Sequence, residues 1–235
     1  MLALLAVGRE TPLAAEQLVR RIWDDAPPDS AVQMVRNQIR ALRLLIGRTA
    51  LESDLPGYRL ADRDVEIDAE VFRALVQQGR RQLADNRILE AVHTVQRGLY
   101  LWRGPEALSG VRDIPSLEIE AVDLEDLRFQ AEEAIVEGYL ALDRPGDALP
   151  LLRVMTAAHP TREMPWLQLM AAETLIGRRI EASVETFRRA QHHLVESTGL
   201  DAPMLASMHT ALLRGAEGPE LVALIRRRPR EWHRS

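Results

Sequence analysis

The stretch that decides the fold is PPDSAVQMVRNQIRALRLLIGRTALESDLPGYRL, residues 27–60. Its first half predicts an amphipathic helix. Ser30 and Gln33 fit the Ser-x-x-Gln capping box, and Gly47 suits the left-handed conformation that ends many helices. Apolar residues recur at helical spacing between these ends, at Val35, Ile39, Leu42 and Ile46. One face of this helix should therefore pack on a core.

The opposite face of this helix is polar and basic. No acidic residue occurs from Ser30 to Leu51. The side chains that lie mostly off the apolar stripe are Gln33, Arg36, Asn37, Arg40 and Arg43. Arg, Asn and Gln can make bidentate hydrogen bonds to base edges, and Arg also binds phosphates. The pattern indicates a DNA-contacting face, and an ordinary solvated helix face is the alternative.

The segments on both sides favour DNA contact. Thr11-Pro12 predicts an N-cap followed by proline at the first position of a short helix that carries Leu18 and Ile22. Pro27-Pro28 separates this helix from the longer basic one. A short helix, a turn and a basic helix make a helix-turn-helix.

A short hairpin is predicted directly after the basic helix. Ala50-Leu51 and Tyr58-Arg59-Leu60 flank a turn at Pro56-Gly57. A hairpin in this position is the wing of a winged helix, and Tyr58 and Arg59 should support it. Glu52 and Asp54 would repel phosphate, so a strong contact between the wing and DNA is not expected.

Composition narrows the class of protein. Of the 235 residues, 46% are hydrophobic and 28% charged, as in soluble globular proteins. The sequence has no cysteine, no apolar run long enough for a membrane span and no signal peptide, which favours a cytoplasmic location. All 30 basic residues are arginine, so a P-loop lysine is absent. The scattered histidines do not have metal-ligand spacing. We therefore expect no cofactor, no metal site and no enzymatic activity.

Charge is distributed unevenly along the chain. The net charge is −5, yet residues 1–60 hold 8 Arg against 7 acidic residues. The end of the chain, RRRPREWHRS, is basic, and the region between is strongly acidic. This pattern suits a DNA-binding module attached to a module that binds protein. The basic end could touch phosphate, although a disordered, solvated terminus is the favoured interpretation.

A motif of the form Arg-x-x-acid-Ala recurs in the second region. It begins at Arg87, Arg144 and Arg178, and its last two alanines, Ala148 and Ala182, are 34 residues apart. This spacing is the tetratricopeptide period. The Gly/Pro-rich segment 102–115 would account for the longer first step. Three helical hairpins are predicted, with larger residues on the first helix of each pair: Phe72 and Leu75, Tyr139 and Leu142, Trp166 and Leu169. A plain helical bundle is the alternative.

The order of these features resembles the actinobacterial antibiotic regulatory proteins. The most specific matches are Pro56-Gly57-Tyr58-Arg59-Leu60, Asp68-x-x-x-Phe72 and Leu101-Trp102-Arg103-Gly104. The resemblance extends from about Leu2 to Leu213, without the nucleotide-binding region of the larger members. It implies a mainly α fold, namely a winged helix-turn-helix over residues 1–62, a bacterial transcriptional activator domain of tetratricopeptide-like repeats over 63–214, and a basic tail over 215–235.

The resemblance also implies a function. Members of this family activate biosynthetic gene clusters. They bind double-stranded DNA at direct repeats near promoters, an arrangement that allows a homodimer, and recruit RNA polymerase through its sigma factor. Gln33, Arg36, Asn37, Arg40 and Arg43, with Tyr58 and Arg59 in the wing, are the expected DNA-binding residues. A helical-repeat interaction module that has lost DNA binding is the alternative function.

The family usually has a small sheet before the first helix. Here Met1 falls within the first predicted helix, so a truncated winged helix without that sheet is expected. Loss of the sheet should uncover the core around Leu2, Leu4 and Leu5.

Overall fold

A computed structural model describes residues 1–54, 57–61, 65–177, 180–199, 201–216 and 218–226. The first eight elements in chain order are α1 Leu2–Val7, α2 Ala15–Trp23, α3 Ala31–Ile46, β1 Leu51–Asp54, β2 Gly57–Leu60, α4 Asp68–Ala84, α5 Ile88–Leu99 and α6 Pro115–Ala141. The remaining elements are α7 Pro145–Ala158, α8 Glu163–Leu175, α9 Ile180–Gln191 with a π-helical turn at His192–Glu196, α10 Pro203–Leu213 and α11 Gly218–Arg226. Over these ranges, no helix combines the length and apolarity that crossing a bilayer requires.

The chain divides into two compact units. The N-terminal unit comprises Met1–Leu75 and Arg97–Arg128, and the C-terminal unit comprises Val76–Gln96 and Phe129–Ser235. The division falls within α4, near the end of α5 and within α6. The fold is mainly helical, as the sequence predicted. The proposed domain limits at residues 62 and 214 remain predictions.

The core of the N-terminal unit is drawn from distant parts of the chain. Its fully buried members include Leu4 and Leu5 of α1, Leu18 of α2 and Leu117 of α6. The expectation that Leu4 and Leu5 would be uncovered is therefore wrong, because both have no exposed surface within this cluster. Leu2 is 42% exposed, as expected.

Helix α2 begins later than the sequence suggested. Its first residue is Ala15, and the Ala14 N–H donates to Gln17 Oε1 at 2.8 Å. The prediction of an N-cap at Thr11 is wrong because Leu13 is used by the hairpin instead. Leu13 N donates to Tyr58 O, and Tyr58 N donates to Leu13 O, both at 2.9 Å. The two-stranded antiparallel hairpin, in which Leu51 faces Leu60, thus gains a bridge to the segment before α2.

Ion pairs hold the Gly/Pro-rich segment 102–115 against α6, within the N-terminal unit. Arg112 Nε lies 2.6 Å from Glu118 Oε2, and Arg112 Nη1 lies 2.7 Å from Glu125 Oε1. The Arg112 hydrogen bond lowers the pKa of Glu118. Arg73 contacts Glu120 in the same way at 2.7 Å. These three carboxylates of α6 are therefore the partners of arginines that belong to the segment and to α4.

The repeat motif marks helix junctions in the C-terminal unit. Its first two arginines follow residues with positive φ, Asn86 at 59° and Asp143 at 55°. Arg87 N donates to Gln82 O and Arg144 N donates to Tyr139 O, each at 2.8 Å, which is the long hydrogen bond of a Schellman motif. Each arginine then pairs with the acid of its own motif at the start of the next helix, Arg87 with Glu90 and Arg144 with Asp147. Arg178 and Arg179 of the third copy lie outside the described residues.

Small residues allow the repeat helices to approach closely. A Cβ on Gly79 of α4 would lie 2.3 Å from Val95 Cγ2, and one on Gly138 of α6 would lie 2.3 Å from Val92 Cγ2. Both valines belong to α5, so glycines on two neighbouring helices make room for it. Ala91 and Ala148 of the motif are buried, and their small side chains suit closely packed helices.

Helix α8 lies at the centre of the C-terminal unit. Every residue from Pro165 to Glu173 is buried, and Trp166 Nε1 donates to Pro160 O at 2.9 Å. A helix buried on all sides needs partners all round it. Helix α11 supplies Leu221 and Ile225 to this core, so the first part of the predicted tail packs on the repeats. Residues 227–235, which carry most of the basic end, lie outside the described residues.

Replacing Gly138 with alanine tests the close approach of α5 and α6. Gly146→Ala is the matched control, because a Cβ there meets nothing within 4 Å. Both changes replace a helical glycine by alanine, so the control accounts for the change in helix propensity and the difference reports mainly the steric cost. We expect Gly138→Ala to have the lower free energy of unfolding, by ~1–3 kcal/mol, in urea denaturation. Equal stability of the two variants would contradict the close approach.

Candidate nucleic-acid interface

Burial of one face of α3 fixes the direction of the other. Val35 has no exposed surface, Ile39 has 1% and Ala31 has 3%. Gln33, Arg36, Asn37 and Arg40 are all exposed on the opposite side. The predicted apolar stripe is buried only in its first part, since Leu42 is half-buried and Ile46 is 37% exposed. The first three turns of α3 therefore lie on the core, and its last turn projects beyond it.

The ends of α3 lie close to where the sequence placed them, but the cap differs. Gly47 ends the helix with a φ of 93°. Ser30 makes no capping hydrogen bond through its side chain, so the predicted capping box is wrong. Gln33 Nε2 instead donates to Asn37 Oδ1 at 3.0 Å. This bond holds two amides side by side on the exposed face.

Arg36 and Arg40 are the charged groups of this face. Neither forms an ion pair with any residue that the structure describes, and α3 has no acidic residue. Arg36 directly precedes Asn37, and Arg40 follows it by three residues. Like Asn37, both arginines are exposed to solvent. The face thus presents two amides and two cations, which are the groups that read base edges and bind phosphates.

The other three predicted DNA-binding residues are engaged within the N-terminal unit. Arg43 is half-buried, and its Nε donates to Leu51 O at 3.0 Å. Tyr58 is half-buried against the core and binds Leu13 through its backbone. Arg59 Nη2 lies 2.9 Å from Glu52 Oε2. Through these contacts the three residues connect α3, the hairpin and the segment before α2. Tyr58 and Arg59 belong to β2 and are not part of the exposed face of α3.

In the hairpin, Gly57 and Glu52 have roles that differ from those predicted from the sequence. Gly57 is the first residue of β2, and a Cβ there would lie 2.4 Å from the backbone of Leu13. Only glycine fits at this position, because the Leu13 backbone lies where any larger residue would place its Cβ. The Glu52 carboxylate is paired with Arg59, which offsets the expected repulsion of phosphate. The Asp54 side chain and the tip at Leu55 and Pro56 lie outside the described residues.

The exposed line of polar residues on α3 ends in a leucine that the sequence prediction did not include. Leu44 is 87% exposed and follows Gln33, Asn37 and Arg40 at the spacing i, i+4, i+7, i+11. The same count of helical positions that identified the polar face would have included it. Elsewhere in the described part of the chain, no group of three or more His, Asp or Glu side chains is arranged to hold a metal ion.

A helix-turn-helix with a wing, followed by helical repeats, defines a class of bacterial regulators. The family model described as bacterial transcriptional activator domain matches residues 67–213. The chain belongs to this family, and its resemblance to the actinobacterial antibiotic regulatory proteins is confirmed.

Two proteins to which the chain is similar are named as regulatory proteins. Transcriptional regulatory protein EmbR of Mycobacterium tuberculosis is 30% identical over 221 residues, which cover 91% of this chain and 56% of that protein. Regulatory protein DnrI of Streptomyces peucetius is 29% identical over 238 residues, which cover 94% of this chain and 87% of that protein. The chain thus spans just over half the length of EmbR and most of DnrI.

A solved structure confirms the fold class. The structure of Mycobacterium tuberculosis EmbR in complex with a low affinity phosphopeptide matches with a TM-score of 0.84 and 28% identity. The match covers 96% of this chain and 62% of the EmbR chain. A related protein therefore has the same arrangement of winged helix and helical repeats over nearly the whole of this chain.

Arg43 should differ from Arg36 in its effect on stability. Arg43→Ala removes a charged donor from the Leu51 carbonyl, so we expect it to lower the free energy of unfolding by ~1–3 kcal/mol. Arg36→Ala, on an exposed position of the same helix, should change it by less than about 0.5 kcal/mol. Thermal unfolding of the two variants measures the difference. Equal melting temperatures would show that the Arg43 hydrogen bond contributes nothing.

Proposed function

We propose that this protein is a DNA-binding transcriptional regulator that activates a biosynthetic gene cluster by recruiting RNA polymerase. The observation that carries this proposal is the exposed face of α3, where Gln33, Arg36, Asn37 and Arg40 project from a helix whose other face is buried. The similarity to EmbR and DnrI, which are named as regulatory proteins, supports it. Its activity is binding rather than catalysis, and its place of action is the cytoplasm.

In this proposal the two ends of the chain have different partners. The N-terminal unit binds the major groove of double-stranded DNA through α3 and rests its hairpin beside it. The helical repeats bind protein, since stacked helical hairpins offer extended surfaces for this purpose. The partner proposed for them is RNA polymerase, reached through its sigma factor.

The number of available cations on α3 favours paired DNA sites. Arg36 and Arg40 are the two arginines of α3 that have no partner among the described residues, whereas Arg43 is engaged with Leu51. Two phosphate contacts give a weak electrostatic contribution at physiological salt. Two copies of the protein on adjacent DNA repeats would bind more tightly than one. If the copies contact each other, binding of the first raises the effective concentration of the second at its own site. Promoter direct repeats bound by a homodimer are the proposed target.

Substitution of Arg36 and Arg40 tests the proposal. The probe is a duplex selected from random sequences by the full chain. Each of Arg36→Ala and Arg40→Ala should weaken binding by about fivefold or more, the lower limit for loss of a good base contact. If the lost contact is to phosphate, the slope of log K against log salt should fall by about one. Fluorescence anisotropy titrations from about 50 to 200 mM salt measure both quantities.

Arg153→Ala is the matched control, since Arg153 is an exposed arginine on α7 in the C-terminal unit. It should leave affinity and salt slope unchanged. Unchanged binding by Arg36→Ala and Arg40→Ala together would overturn the assignment of α3. A chain that captures RNA polymerase but binds no duplex at low salt would favour the helical-repeat interaction module without DNA binding.

A further inference from the structure

The end of α3 exposes two adjacent leucines that belong to different faces. Leu44 is 87% exposed and Leu45 is 81% exposed. Burying a leucine side chain is worth ~1.5–3 kcal/mol, so two that stay in water have no role in holding α3. Neither belongs to the core cluster of the N-terminal unit or to the apolar residues packed against it. Their sequence positions are adjacent, and they point about 100° apart around the helix.

Leu44 continues the polar face rather than the buried one. It follows Gln33, Asn37 and Arg40 at i+11, i+7 and i+4, which is one line along the helix. The buried line of Ala31, Val35 and Ile39 lies on the opposite side. Leu45 instead follows Met34, Gln38 and Ala41, on the flank between these two faces. Only one of the two leucines therefore lies where the proposed DNA contacts lie.

Charge favours a nucleic acid over an apolar protein as the partner of Leu44. Arg40 precedes it by one turn, and the exposed Arg48 follows α3 just after Gly47. A protein groove that covered Leu44 would have to desolvate these cations or supply acids for them. The major groove of DNA supplies phosphates for the arginines and, at thymine, a C5-methyl group for an apolar side chain.

We propose that Leu44 is a specificity-determining residue that contacts the C5-methyl group of a thymine in the major groove. This inference rests on the proposed DNA-binding function. The four residues from Arg40 to Leu44 rise by ~6 Å, which corresponds to about two base-pair steps. The thymine should therefore lie about two base pairs from the one that Arg40 contacts.

The test uses the full chain and the duplex it selects from random sequences. Each thymine of the selected site is replaced singly by deoxyuridine, which removes only the methyl group. For the unmodified protein, one such replacement should raise Kd about fourfold, as expected for loss of one buried methyl-sized contact. In Leu44→Ala the same replacement should change Kd by less than about 1.5-fold, because the partner of the methyl group is gone.

Leu45→Ala is the matched control, with the same side chain, similar exposure and a position on the flank. It should keep the full fourfold penalty for deoxyuridine. Both variants should melt at the temperature of the parent, since neither leucine is buried.

The outcomes separate this inference from the proposed function. Strong DNA binding in which no thymine depends on Leu44 overturns the inference and leaves the function intact. A deoxyuridine penalty lost in Leu45→Ala, or in both variants, also overturns it. Self-association that both substitutions abolish would assign the leucines to contact between copies instead. Absence of DNA binding by the parent protein overturns both the inference and the proposed function.

Discussion

The packing of Val35 and Ile39 into the N-terminal core is the constraint on which the rest of the account depends. A helix can bury only one stripe, so fixing these two side chains also fixes which residues project from the other side. Gln33, Arg36, Asn37 and Arg40 face outward for this reason. Overpacking at either position would be expected to turn or lift α3 and move all four groups together. The chemistry of the face thus depends on two residues that are buried away from it.

A second set of contacts holds α3 relative to the hairpin. Arg43 reaches the Leu51 carbonyl from α3, and Leu13 pairs with Tyr58 from the segment before α2. Gly57 permits this pairing because a side chain there would overlap the Leu13 backbone. Three residues that carry the family resemblance, Gly57, Tyr58 and Arg59, therefore serve the assembly of the N-terminal unit. The part of Tyr58 and Arg59 in binding DNA remains a prediction.

Local patterns in the sequence predicted much of this structure. The limits of α3, the outward polar residues and the helix junctions after Asn86 and Asp143 depend on neighbours within a few positions. The sequence predictions were wrong where contacts between residues far apart in the chain decide the local structure. Thr11-Pro12 has the form of a helix start, but Leu13 pairs with Tyr58 across 45 positions. The burial of Leu4 and Leu5 could not be foreseen, because Leu117 in the same core comes from α6. Which base each outward side chain contacts depends on DNA, so the sequence gives no register for it.

The most direct measurement of the central claim maps where α3 lies on DNA. The chain has no cysteine, so a single cysteine can carry a tethered iron chelate that cuts nearby DNA. Ala41→Cys places it on α3 beside the polar face without removing a proposed contact, and Ala157→Cys places it on α7 as the control. On the selected duplex, position 41 should give cuts confined to a few base pairs of one major groove per repeat, and position 157 should give none there. Uniform cutting from position 41, or equal cutting from both, would contradict the placement of α3 in the groove.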